Sequence, residues 1–291
     1  MITYDNKNWV RVVLSYRGTV MGAVLRRLWW LVLFAVFVVA LELWSEKHHP
    51  DWYWFFKLAK PTGHSLLGLA LGLLIVFHNN CAYDRYWEGR KLWGALVNTS
   101  RNLVRGATAF VGRSADLANL VAAYALALKQ LLRGDTDLSE IKEMLPPDLF
   151  EEAVASANPP NFLALHMSRW IADRQADGTI DSVTAQSLEA MVRGLLDNQG
   201  GCERILRTPI PFAYAVHIRQ MLLVYLVTLP FALAADMGWA AVPTVAVVAF
   251  GMIGIEEAGN EIEDPFGTDP NDLPLEAICA TIGRDAKALA G

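Results

Sequence analysis

Toward its end the chain carries Glu256-Glu257-Ala258-Gly259-Asn260-Glu261-Ile262-Glu263-Asp264-Pro265-Phe266-Gly267-Thr268-Asp269-Pro270-Asn271-Asp272. Glu257 and Glu261 are four residues apart, so a helix presents both on one face, where two carboxylates could hold a divalent metal. The following loop, Asp264 to Asp272, offers the carboxylate and backbone oxygens that a hard cation such as calcium accepts. No His accompanies these acids, and a solvated helix end accounts for them somewhat better. Acids at the end of an apolar span are costly unless they meet water, a cation or a basic partner.

A second constellation is almost without charge. Leu69, Leu73 and Phe77 recur every four residues and form one apolar stripe, beside Gly68, Ala70 and Gly72. Spacing alone makes this a lipid-facing or core surface first. Small residues at i and i+4 let helices approach closely, which suits a tight bundle. Around an axis, rings of the same residues would form a constriction that gates by dewetting. Directly after it runs Phe77-His78-Asn79-Asn80-Cys81-Ala82-Tyr83-Asp84-Arg85-Tyr86-Trp87-Glu88-Gly89-Arg90-Lys91-Leu92-Trp93-Gly94. Aromatic and charged residues are expected where a span leaves a membrane. His78, Asn79 and Asn80 could in addition offer polar groups to an ion leaving the constriction.

These residues need elements that cross a bilayer. Of 291 residues 54% are hydrophobic and 19% charged, and mean hydropathy is +0.27, richer in apolar residues than an average soluble domain. A hydrocarbon core about 30 Å thick takes about 20 apolar residues as helix. The candidate spans are Val20 to Trp44, the short stretch Ser65 to Phe77, Phe212 to Ala235 and Trp239 to Ile255, the last two joined by Asp236-Met237-Gly238. Lys7, Arg11, Arg17, Arg26 and Arg27 precede the first span, and Arg85, Arg90, Lys91, Arg101 and Arg105 follow the second. Both flanks therefore read as cytoplasmic, against Lys47, Lys57 and Lys60 in the loop between them. An even number of spans puts Gly291 on the same side, in a multi-pass protein of the inner or plasma membrane. The polar start to Arg17 lacks the order of a signal peptide, so the first span is expected to be retained.

The expected organisation is all-α, with 1–83 holding the first two membrane helices, 84–207 a cytosolic helical region, 208–258 the other two membrane helices and 259–291 a cytosolic end. Within the cytosolic region, Leu117 to Leu132 reads as a helix ended by Gly134 and Ile180 to Leu196 as an amphipathic one. Pro146-Pro147 and Pro159-Pro160 punctuate it. The formal net charge of -5 argues against nucleic acid, which needs a cluster of excess Lys and Arg. Cys81, Cys202 and Cys279 stand too far apart to suggest a disulfide framework or zinc site.

Several pieces together resemble the bestrophins, most closely their bacterial homologues. They are Arg17-Gly18-Thr19, the Phe77 to Gly94 run, Gly200-Gly201-Cys202-Glu203-Arg204, Thr208-Pro209-Ile210-Pro211-Phe212-Ala213-Tyr214, Glu263-Asp264-Pro265-Phe266-Gly267 and Asn271-Asp272-Leu273-Pro274-Leu275. The resemblance covers nearly the whole chain in order. It implies a homopentameric ion channel in a lipid bilayer, passing inorganic ions along one axis. It puts the pore neck on Leu69, Leu73 and Phe77, which overturns the lipid-facing reading, and a cytosolic aperture on Val183, with Ile180 as the fallback register. In calcium-gated animal members the resemblance places clasp carbonyls at Glu261 and Asp264 and carboxylates at Asp269 and Asp272. Pro270-Asn271 interrupts that acidic run here. No cofactor is required, and calcium or another cation at this segment is the one candidate.

The family divides over selectivity. A ring of five Asp181 beside Val183, with the acidic balance of the cytosolic part, favours monovalent cations such as sodium and potassium. A chloride or other anion channel is the alternative. A metal-dependent membrane enzyme using the Glu256 to Asp272 carboxylates is a more distant one, since no H-E-x-x-H, G-x-S-x-G or phosphate loop accompanies them. A secondary transporter would be expected to show internal repeats, and none is visible.

Overall fold

The computed structural model describes residues 9–49 and 61–291. Lys7, Lys57 and Lys60 of the charge argument lie outside the described residues, as does the side chain of Arg11. The helices are α1 (Trp9–Val13), α2 (Met21–His48), α3 (Pro61–Val111), α4 (Ala115–Arg133), α5 (Pro147–Ala155), α6 (Pro159–Ala176), α7 (Ser182–Arg207), α8 (Phe212–Met237), α9 (Ala241–Glu263) and α10 (Leu275–Ala290). Short 3-10 turns occupy Ser139–Met144 and Gly238–Ala240. The fold is all-α among the described residues.

Four helical stretches are long and apolar enough to cross a membrane: Met21–His48, Pro61–Val111, Ala115–Arg133 and Phe212–Glu263. Ala115–Arg133 is mostly buried among other helices, which is the environment of a core helix and not of a lipid-facing one. Phe212–Glu263 is two helices that turn at Gly238, whose φ of 52° falls where glycine is favoured. The crossings are therefore α2, the first part of α3, α8 and α9. The second span is short by hydropathy because its helix does not stop at the polar run. It continues to Val111.

The chain divides into two compact units, one formed by 85–208 with 264–291 and the other by the described residues up to 84 with 209–263. In the second unit α2 buries Val24, Leu31 and Ala35, a stripe at helical spacing, in one cluster with Leu71, Ile75, Leu222, Leu226, Val245 and Ile253. Gly68 sits under Tyr225, where a Cβ would come within 2.9 Å of the phenol oxygen. The expected close approach is met there, whereas Gly72 faces open space.

The first unit is centred on α4, which packs against α6 and α10. α4 ends at Gly134 in the left-handed region, as its sequence predicts. Both Pro pairs start helices, Pro147 opening α5 and Pro159 opening α6. Two buried polar side chains here are paired: Lys129 holds both carboxylate oxygens of Glu140 at 2.9 Å, and the Tyr124 hydroxyl lies 3.0 Å from the Leu195 carbonyl and 3.1 Å from Gln199 Oε1. Burial pushes the Cys202 and Cys279 thiols up to about 12. The thiolate is the reactive form, so at neutral pH neither should label with maleimide in the folded protein. Both should label after denaturation, read by intact mass.

Candidate pore-lining site

The α-helical period sorts α3 into two faces within the second unit. Leu71, Ile75, His78 and Ala82 are buried, whereas Leu66, Leu69, Leu73, Phe77, Asn80 and Asp84 are exposed. Leu69, Leu73 and Phe77 are 73%, 56% and 51% exposed. Three large apolar side chains in a row, left uncovered by their own chain, need lipid, a second copy or a pore to face. One turn further on the same stripe becomes polar at Asn80 and acidic at Asp84.

His78 and Asn79 do not join that stripe. The His78 ring is buried, with Nε2 3.4 Å from Asn260 Oδ1, and Asn79 donates Nδ2–H to the Ile255 carbonyl at 3.0 Å. A step of 100° or 200° past Phe77 turns both toward α9, so of the expected polar trio only Asn80 is exposed beside the stripe. Gly259 makes this docking possible, because a Cβ there would overlap the Asn79 side chain.

At the expected aperture the two candidate registers differ sharply in environment. Val183 is 72% exposed at the start of α7, whereas Ile180 is 6% exposed and packed in the core of its unit. Val183 edges a cavity of about 580 Å³ between α6 and α7, with Ser168, Gln175, Gln186 and Glu189 on the wall. Asp181 is the N-cap of α7, its Oδ1 accepting the Thr184 N–H at 2.6 Å. Hydrogen bonds from the Thr184 side chain and backbone hold its carboxyl below the usual range. The charge is thus directed onto the positive end of a helix.

The acidic segment splits between the units. Glu261 is on α9, while Asp264, Asp269 and Asp272 lie in a tight loop of the other unit that Leu273 N–H closes onto the Pro265 carbonyl at 3.0 Å. Asp264 Oδ1 accepts the Phe266 N–H at 3.2 Å, and the buried Asp272 carboxylate accepts the Asp269 N–H at 2.7 Å. These oxygens cap their own loop. Among the described residues no group of three or more His, Cys, Asp or Glu could hold a metal ion. Phe266 is fully buried against Gly89, where a Cβ would meet its ring at 3.1 Å. Gly89→Ala should therefore cost about 1–3 kcal/mol by overpacking, measured by thermal unfolding in detergent.

Sequence reading missed the most concentrated charge in the second unit. Glu256, only 2% exposed, accepts from Arg27 Nη1 at 3.0 Å, Arg219 Nε at 3.1 Å and Asn260 Nδ2 at 2.6 Å. Arg27 also pairs with Glu257 at 2.9 Å. The carboxylate expected to share a metal with Glu261 is thus matched by an arginine from α2. That is a basic-partner solution to buried acids, and it leaves the metal-enzyme reading without its ligand pair.

Comparison with known proteins bears on all of this. Residues 1–288 match the family described as Bacterial/Fungal Bestrophin protein. A voltage-dependent anion channel-forming protein of Nostoc sp. is 38% identical, over 98% of this chain and 92% of its own. A protein of the same description from Escherichia coli is 32% identical, also over 98% and 92%. The crystal structure of a bacterial bestrophin homologue from Klebsiella pneumoniae superposes with a TM-score of 0.84 at 29% identity, covering 92% of this chain and 98% of that one. The relatives' descriptions overturn the expectation of cation selectivity, and the capped state of Asp181 gives a physical reason why that acid was a poor guide. The chain belongs to the bacterial bestrophin family, and it is a channel of that family and not an enzyme.

Proposed function

We propose that the chain assembles as a homopentamer around one axial pore and conducts anions across the cell inner membrane, with both termini cytoplasmic. The observation that carries this reading is the exposed stripe Leu69, Leu73 and Phe77 on a crossing helix. Five copies of it would enclose an apolar neck, and Asn80 and Asp84 would follow where the helix leaves the membrane. Val183 would form the second constriction. The cytoplasmic placement rests on Arg17, Arg26 and Arg27 before α2 and on Arg85, Arg90, Lys91, Arg101 and Arg105 after the apolar part of α3.

The anion assignment rests on the descriptions of the relatives, and the chemistry is compatible with it. An apolar neck offers no water substitute, so an ion crosses it at a cost set by how tightly it holds its shell. Chloride is larger and less tightly hydrated than sodium. Aromatic ring edges carry the positive part of the quadrupole, which Phe77 could turn to a passing anion. At the aperture the helix N-terminus partly cancels the charge of Asp181.

Proteoliposomes test this directly. Chloride-loaded vesicles should release chloride when an ionophore balances the charge, and native mass should equal five chains of 32.2 kDa. Asp181→Asn retains a good cap and should leave the ratio of chloride to sodium flux unchanged. Sodium release without chloride release would overturn the reading.

A further inference from the structure

The cluster around Glu256 opens onto a cavity of about 540 Å³ lined by Arg27, Trp30 and Leu31 of α2, Arg219, Leu222, Leu223 and Leu226 of α8, and Ile253, Glu256, Glu257 and Asn260 of α9. The geometry points to a phospholipid site, with the phosphodiester on the two guanidiniums and the start of an acyl chain along the leucines.

Three features of the same cavity support this. The first is the order of chemistry along the helices. On α2 the sequence runs from Arg27 to Trp30 and Leu31, on α8 from Arg219 to Leu222, Leu223 and Leu226, and on α9 in the opposite chain direction from Asn260, Glu257 and Glu256 to Ile253. On α9 the polar residues begin at Glu256, directly after the apolar stretch that ends at Ile255, and Arg27 and Arg219 both reach Glu256 there. That is the depth at which headgroups give way to acyl chains. The cavity is therefore polar at the headgroup level and apolar toward the bilayer centre, the polarity of a phospholipid.

The second feature is which charges face out. Two arginines and two glutamates sum to zero, but the side chains of Glu256 and Glu257 are 2% and 20% exposed while those of Arg27 and Arg219 are 49% and 54% exposed. An incoming group meets donors first. The third is donor capacity. Arg27 donates one N–H to Glu256 and pairs by charge with Glu257, and Arg219 donates one N–H each to Glu256 and Asn260, fewer than a guanidinium carries. Planar guanidiniums match phosphate oxygens bidentately. Trp30 at the rim is the residue type that sits at this level of a membrane.

The site requires only membrane insertion and not any particular permeant ion, so its test uses binding and no current. Delipidated protein in detergent is mixed with dioleoyl phosphatidylglycerol and bound lipid is counted by native mass spectrometry, with dioleoylglycerol and inorganic phosphate as comparators. The expected result is retained phosphatidylglycerol, at least tenfold less retention of dioleoylglycerol, and no displacement by millimolar phosphate. Arg219→Gln should lower retention about tenfold. Leu223→Trp, which narrows the apolar wall without touching an ion pair, should do so too, and it carries the variant test if Arg219→Gln fails to fold. Equal retention of dioleoylglycerol would show an apolar crevice only. Displacement by phosphate alone would show a free-anion site, and unchanged retention in Leu223→Trp would show lipid bound elsewhere. Any of the three overturns the assignment.

Discussion

Alanine at Leu69, Leu73 and Phe77 together is expected to raise the unitary conductance of the reconstituted channel. A dewetted neck opposes an ion with a barrier that scales with its narrowness and with the length over which water is excluded. Truncating three successive rings widens the whole segment, and a fall of about 1.4 kcal/mol in the crossing barrier is enough for about tenfold more current. Single-channel recording reads the effect directly. The side chains are exposed in their own chain, so the substitutions leave no cavity in the fold. Residues that faced lipid would leave unitary current as it was, and that result would move the neck elsewhere.

Glu256→Ala should be the most damaging single truncation in the second unit. Its carboxylate is buried and receives Arg27, Arg219 and Asn260 at once. Removing it leaves two guanidiniums facing each other without their shared counter-charge. Breaking a buried pair typically costs about 3–5 kcal/mol. Both arginines are half-exposed and can rehydrate, which puts the expectation near the lower end, about 3 kcal/mol. Thermal unfolding in detergent should show a clear drop in Tm. Glu256→Gln keeps one carbonyl acceptor and should lose less. A change within about 0.5 kcal/mol, the range of ordinary surface substitutions, would contradict the role given to this cluster.

What could be read from the residues differs from element to element for physical reasons. The ends of α4 and α8 were legible, because Gly134 and Gly238 are conformational stops that need no tertiary context. The start of α7 was legible too, yet misused. Asp181 directly before the helix that Ser182 opens is an N-cap residue, and the helix N-terminus offsets part of the charge that an ion would feel. His78 and Asn79 were expected beside the pore because they follow Phe77 in sequence. A helix rotates about 100° per residue, and that rotation hides them against α9.

The Arg27 and Glu256 pair lies beyond local reasoning, being 229 positions apart in sequence. Only the rule that an acid inside an apolar helix requires a partner pointed to it. Selectivity is the least legible property of all. It follows from how copies surround a pore and from hydration in that space, while the net charge of -5 counts acids wherever they lie.

The most direct test of an anion channel is its reversal potential. Purified protein in a planar bilayer, with sodium chloride tenfold more concentrated on one side, should reverse close to the chloride equilibrium potential, about 59 mV from zero. Reversal at the sodium potential, equal in size and opposite in sign, would contradict the account.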